Sequence, residues 1–232
     1  EVDKILMADG TSGTGGDLHF SAGTTGGQAV GGRTMATAGS GLIGGVLELV
    51  SGQGTSGAGG ASLLIAGDGA SGAGGAVNIS GGSTPAEMGG AVTLTAGSGA
   101  GEANGIGGTL TLRGGVGAVE NGGSLVLKSG ATSSADASSI TGSISITTRG
   151  SGSQGVSGDA RIQTGSARAG SSGSVVLQTA SARSGHGGVI TVLVGSGDSG
   201  LGGNVSIAAG NTTSPDDDGA GAGKVHLLGG RG

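Results

Sequence analysis

The feature that most constrains this chain is a short alternating run set between glycine pairs. In "GGAVTLTAG", residues 89–97, the side chains of Val92, Leu94 and Ala96 share one side of an extended backbone. The template is a glycine pair, then x-h-x-h-x-small-Gly, where h is mostly a large apolar residue. Its alternating part recurs at fifteen places, ten of them directly after a glycine pair. The commonest spacing between starts is 15 residues. Self-similarity at a fixed period is the signature of a repeat protein.

The alternation within these repeats predicts strands. Of thirty h positions, 26 hold Val, Ile, Leu, Met or Phe. A period of two indicates a strand with one buried face. Apolar residues do not recur at helical spacing, and glycine is costly in a helix, so helices are excluded. The runs start at Lys4, Asp17, Arg33, Val46, Ala61, Ala76, Ala91, Thr109, Ser124, Ser143, Asp159, Ser174, Val189, Asn204 and Lys224.

Stacking is the expected way for such short strands to bury an apolar face. Irregular spacings fall mainly after alternate repeats, which favours two repeats per coil. We therefore predict an all-β fold, a parallel β-solenoid of about fifteen 15-residue strand-turn units with two strands per coil in two flattened sheets, forming a single domain over 1–232. A coil of one repeat, an antiparallel meander and a disordered Gly/Ser-rich chain are the alternatives.

The composition limits which partners the chain can bind and which interactions can stabilise its fold. Glycine makes up 62 of 232 residues, and we expect it to turn the chain by taking positive φ after each run. There is no Cys, Trp or Tyr, so the core would be thin, aliphatic and free of disulfides. A net charge of -5 argues against nucleic-acid binding, and no apolar run is long enough to span a membrane.

The predicted binding partners are other copies of the same chain. The first run and the last run already fit the strand template and leave no room for caps, so we expect copies of the chain to stack end to end. Strands of odd number carry more outward aliphatic residues than strands of even number, which predicts a lateral interface. Its candidate residues are Leu6, Met35, Leu63, Ile65, Val126, Val189, Leu193 and Leu228.

Two further sets of residues suggest contacts at the surface. Four arginines form the one local basic excess and are candidates for contact with acidic glycans or with an acidic edge of a neighbour: Arg149, Arg161, Arg168 and Arg183. Two of them, Arg149 and Arg183, would lie on one edge of a two-strand coil. Three N-x-S/T sequons predict glycosylation, at Asn78, Asn204 and Asn211.

Catalytic chemistry is not predicted. The histidines His19, His186 and His226 lie in distant repeats, and no acid–base pair has the spacing of a hydrolase site. The calcium-binding glycine repeat needs an Asp in every turn, whereas this chain has one acidic run, Asp216–Asp218. We predict no enzyme activity, no cofactor and no metal.

The repeats "GGAVTLTAG", "GGNVSIAAG" and "GGSLVLKSG" resemble the Gly/Ser-rich β-solenoid repeats of large secreted surface proteins, such as filamentous-haemagglutinin-like adhesins and repeat proteins of microalgae. The resemblance implies an extracellular or cell-surface location and a structural or adhesive role. The expected function is a structural protein that builds a rod, fibre or coat. The alternative is a surface adhesin or a binding module for glycan, mineral or ice, which a glycan array would distinguish.

Overall fold

A computed structural model describes residues 15–26, 29–85, 87–100, 105–134, 136, 138–212 and 222–230. Within these ranges the chain forms no helix and no strand. The chain divides between Leu125 and Val126 into an N-terminal unit, Glu1–Leu125, and a C-terminal unit, Val126–Gly232. The expectation of a single domain over 1–232 stays a prediction.

The predicted β-solenoid is wrong for the residues that the structure describes. Their backbone hydrogen bonds join residues within one loop, and no ladder of bonds connects one alternating run to another. Without a ladder there are no sheets, so neither the two-strand coil nor the one-repeat coil nor the meander is present. The alternating pattern therefore does not produce paired strands in the described residues.

A buried core is also absent from the described part of the chain, where no hydrophobic residue is buried. The accessible surface is 23019 Å² for a chain of 20.9 kDa. A folded monomer of that mass exposes about 9,000 Å² and a fully unfolded one about 30,000 Å². The predicted thin aliphatic core is therefore wrong for this chain on its own.

In some runs the alternation survives as a graded difference in exposure. In the run that begins at Val189, the side chains assigned to the inner side, Ile190 and Val192, are 53% and 68% exposed. Their outward neighbours Val189 and Leu193 are 83% and 85% exposed. The difference is not general, since inner-side Leu49 is 84% exposed and its outward neighbour Val50 is 78% exposed. Neither side of a described run is covered.

Nine of the described runs are followed by a loop that a single backbone hydrogen bond closes. The glycine directly before the next run donates its N–H to the carbonyl of the glycine behind the preceding run, at N···O distances of 2.7–2.9 Å. In seven of the nine loops the donor is the second glycine of a pair. We call this hydrogen bond the closing bond. It joins Gly23–Gly32, Gly39–Gly45, Gly52–Gly60, Gly67–Gly75, Gly82–Gly90, Gly97–Gly108, Gly115–Gly123, Gly130–Gly142 and Gly210–Gly223.

Close approach explains why the second member of the pair is glycine. A Cβ added to Gly32 would lie 2.9 Å from the nitrogen of Gly23 and 3.2 Å from the Cβ of Ala22. A Cβ added to Gly31 would meet nothing nearer than the Gly23 carbonyl oxygen, at 3.8 Å, which is an ordinary contact. The second position thus requires glycine for steric reasons, whereas the first does not.

Positive φ has a smaller role than the sequence suggested. Among the described residues it occurs at Gly170 and Gly200, with φ of 120° and 80°, and both lie at the end of a bend inside a loop. The glycines that follow the runs do not adopt it. The expectation that they turn the chain through positive φ is therefore wrong, because their part is to accept the closing bond.

The last residue of a run decides whether its loop closes. The nine closed loops all follow Ala, Ser or Gly. Four described runs are followed by loops without a backbone closing bond. Each of these runs ends in a β-branched residue: Thr148, Thr164, Thr179 and Val194. Thr179 instead donates from its hydroxyl to the Gly188 carbonyl, at 3.3 Å. A methyl carbon of Thr164, Thr179 or Val194 lies 2.8–3.5 Å from the place of a Cβ on the glycine before the next run. After Thr148 the corresponding glycine, Gly158, has no such neighbour within 4 Å.

Two loops of equal length make the comparison direct. After Ala66, the closing bond from Gly75 to Gly67 is 2.9 Å long. After Val194 the corresponding glycines are Gly195 and Gly203, and no backbone bond between them is present in this described segment. The Cγ1 atom of Val194 lies 2.8 Å from the place of a Cβ on Gly203. The extra methyl group therefore occupies the approach path.

Exchanging the two residues should exchange the behaviour of the loops. We expect Ala66→Val to open the Gly67–Gly75 loop and Val194→Ala to close the Gly195–Gly203 loop. One net hydrogen bond contributes about 0.5–1.5 kcal/mol, so the exchange rate of the donating amide should change by up to about tenfold, rising at Gly75 and falling at Gly203. Amide hydrogen exchange followed by NMR measures both rates.

Ala70→Val is the matched control, since Ala70 lies in the bend Ala70–Gly72 and makes no closing contact. It adds the same two methyl groups and should leave the Gly75 amide unchanged. Equal effects of Ala66→Val and Ala70→Val would contradict the steric rule.

Candidate assembly surface

The residues predicted to form a lateral interface are exposed wherever the structure describes them. Their exposed fractions run from 64% at Val126 to 91% at Leu228. Leu6 lies outside the described residues. Because the inner-side residues are exposed as well, the aliphatic surface is not confined to odd-numbered runs. It extends along both sides of the runs, and the lateral interface stays a prediction.

One shallow depression lies within the N-terminal unit. It has a volume of about 240 Å³ and is lined by Leu49 and by the segment Ser62, Leu63 and Leu64. The hydroxyls of Ser51 and Ser62 are 2.5 Å apart and connect two neighbouring runs beside it. The lining is aliphatic with one hydroxyl, which suits an apolar side chain of a partner better than a polar small molecule.

The four candidate arginines are exposed and make no ion pair within the described ranges. Arg168 and Arg183 each begin a bend, Arg168–Gly170 and Arg183–Gly185, whereas Arg161 lies inside a run and Arg149 follows one. The expectation that Arg149 and Arg183 share an edge depended on the two-strand coil and is wrong with it. The arginines are available for contacts with another molecule.

A network of hydrogen bonds shapes the loop between Gly130 and Gly142. The amides of Ser134 and Asp136 donate to the side-chain oxygens of Thr132 and Ser134, at 3.2 and 3.1 Å. The Ser138 amide and hydroxyl both donate to Asp136 Oδ1, at 2.9 and 2.8 Å. These two bonds, the backbone one first, lower the pKa of the Asp136 carboxyl.

Sites for catalysis or metal do not form among the described residues. His19, His186 and His226 are exposed, and no group of three His, Asp or Glu side chains there could hold a metal ion. The acidic run Asp216–Asp218 lies outside the described residues. No helix in the described ranges is long and apolar enough to cross a membrane.

The sequon asparagines Asn78, Asn204 and Asn211 are exposed, so an oligosaccharide would meet no steric obstacle at these positions. Glycosylation at these positions stays a prediction.

Comparison with known proteins finds no matching family model, no significantly similar curated protein and no significantly similar solved structure.

Sequence reasoning missed the closing bond and the Asp136 network. The signal for the first was present, because the runs end in Ala, Ser or Gly where loops close and in Thr or Val where they do not. The signal for the second was the spacing of polar side chains at every second residue, Thr132, Ser134, Asp136 and Ser138. Such side chains bond to backbone amides two residues on.

Replacing Ser138 should raise the pKa of Asp136. Ser138→Ala removes the hydroxyl donor and leaves the backbone donor, so the pKa should return part of the way to its ordinary value. The lowered pKa means that the carboxylate stabilises the turn above the ordinary pKa and that this contribution is lost as pH falls through the lowered value. An NMR titration of the Asp136 carboxyl carbon measures the shift.

Ser139→Ala is the control, since the Ser139 side chain makes no hydrogen bond within the described chain. Its backbone amide still donates to the Asp136 carbonyl, at 3.0 Å. An unchanged pKa in Ser138→Ala, or an equal rise in both variants, would contradict the assignment.

Proposed function

We propose that this protein is an extracellular structural protein whose copies associate into a fibre or coat. The observation that carries the proposal is the regular exposure of large aliphatic side chains along the runs, with none buried in the described chain. Contiguous apolar surface of this extent on a protein marks an interaction site or a tendency to aggregate. A repeated pattern of such surface favours ordered association with an identical partner.

The amount of exposed surface supports association as the step that stabilises the chain. The chain exposes about 14,000 Å² more than a folded monomer of its mass. Obligate interfaces bury about 2,000–5,000 Å², so several neighbours could be accommodated. Burial of one aliphatic side chain contributes about 1.5–3 kcal/mol, and each repeat offers about two.

The closing bonds support a repeating mode of association. They hold the ends of consecutive runs near one another, which reduces the conformational freedom that association must remove. Each closed repeat presents the same short aliphatic run. The exposed sequons support an extracellular setting, and the absence of enzyme activity stays a prediction.

Association should depend on the inner-side residues of the runs. The double variant Leu94→Asp, Leu112→Asp replaces two leucines that are 58% and 53% exposed in the isolated chain. It should raise the concentration needed for assembly at least tenfold, because each change removes an aliphatic group and places a charge in an interface. Sedimentation velocity and electron microscopy at micromolar concentration measure the threshold and show the product.

The control is Thr93→Asp, Thr111→Asp, which adds the same charge on the outward side of the same two runs. It should leave the threshold within a few-fold of the unchanged protein. A wild-type chain that remains monomeric at every salt and pH would refute the proposal. A monomer that binds on a glycan array would instead support the adhesin alternative.

A further inference from the structure

Charge is divided unevenly between the two units. Residues 1–125 carry nine acidic and three basic residues, and residues 126–232 carry six acidic and seven basic ones. Among the described residues alone, the N-terminal unit has a net charge of -3 and the C-terminal unit one of +3. The contributing residues are Asp17, Arg33, Glu48, Asp68, Glu87, Arg113 and Glu120 in the first, and Lys128, Asp136, Arg149, Asp159, Arg161, Arg168, Arg183, Asp198 and Lys224 in the second.

Some of these charges lie in the bends of the loops. In the C-terminal unit Arg168 and Arg183 begin bends that are 15 residues apart, and Asp198 begins a third bend, Asp198–Gly200. In the N-terminal unit Glu120 ends the bend Ala118–Glu120, and no basic residue lies in a described bend. The two units therefore carry aliphatic runs of one kind but differ in the balance of charge beside them.

We infer that copies associate head to tail, with the C-terminal unit of one copy docked on the N-terminal unit of the next. This inference rests on the proposed self-association and names its orientation. The aliphatic runs are alike in both units and cannot distinguish head-to-tail from head-to-head contact. The opposite charges can, because like charges opposed across an interface are unfavourable.

A second copy suits the arginines better than an acidic glycan does. The complementary acidic surface is present in the same chain and therefore at equal concentration. Over the full sequence the net charge is -6 for residues 1–125 and +1 for residues 126–232. Arg side chains pair with carboxylates through two parallel N–H···O bonds, and all four arginines lack an ion pair in the described chain. A head-to-tail contact joins two different surfaces of the chain. It builds an open filament unless the rotation between successive copies closes a ring.

Exposed ion pairs contribute little to affinity, so the charges act mainly on orientation and on the rate of association. Their effect should be largest at low ionic strength. The Debye length falls from about 30 Å at 0.01 M salt to about 3 Å at 1 M. The nucleation rate should therefore fall by tenfold or more across that range, whereas the aliphatic contacts persist.

Charge reversal in the full chain tests the orientation. One variant changes Arg149, Arg161, Arg168 and Arg183 to Glu, and the other changes Glu48, Asp68, Glu87 and Glu120 to Lys. Each variant gives the two units of one copy net charges of the same sign. Light scattering at 0.01 M salt should show at least a tenfold slower assembly of either variant alone.

Mixing the two variants at equal concentration should restore the wild-type rate, and a chain that carries both sets of changes should assemble alone. A quadruple Arg→Lys variant controls for the side chains and should assemble with little change in rate. Assembly of the reversed variants at the wild-type rate, or failure of the mixture, would overturn the head-to-tail inference while leaving self-association intact. A wild-type chain that does not assemble would refute the proposed function itself.

Discussion

The hydrogen bond from the glycine before a run to the glycine carbonyl behind the preceding run holds the two ends of nine described loops together. The bond brings the donating residue so close that an added Cβ would lie 2.9–3.4 Å from its nearest neighbour. It also needs a small side chain at the end of the run, as the contrast between Ala66 and Val194 demonstrates. Glycine is thus abundant in this chain for a steric reason at the loop ends, and the extended runs are what remains between one closed loop and the next.

Local closure is connected with the absence of a core from the described residues. A loop closed by its own backbone satisfies one donor and one acceptor, but no ladder of backbone hydrogen bonds joins the described runs on either side of it. The N–H and C=O groups of the runs then remain open to solvent or to another molecule, as do their aliphatic side chains. The charged side chains and the aliphatic runs therefore have separate parts in the proposed assembly: the runs supply the contact area and the charges supply the orientation.

The sequence shows an alternation of apolar and polar residues, and side-chain direction in a strand follows the residue number alone. The strands predicted from that alternation are absent from the described residues. The sequence did not predict how the runs relate to one another. Pairing depends on long-range contacts, and the small residues Ala66 and Ala96 satisfy a tight loop as well as they satisfy a sheet corner. The exposure of Leu63, Val189 and the arginines was anticipated. The predicted placement of these residues on common faces depended on the two-strand coil. That coil is absent from the described residues, so the common faces are absent too. The Asp136 turn depends on polar side chains in a loop, which the apolar pattern of the runs does not indicate.

The closing bond has a consequence for how such a chain can change in length. Gly39 and Gly45 are six residues apart and Gly210 and Gly223 are thirteen apart, yet the same bond joins each pair. Loop-closure entropy grows only logarithmically, so the longer loop costs about 0.7 kcal/mol more than the shorter one. Residues can thus be inserted between the two closing glycines with little penalty, provided that the glycines and the small residue before them are kept. The loops are suitable places for grafted peptides, and variation in their length would leave the spacing of the loop ends unchanged.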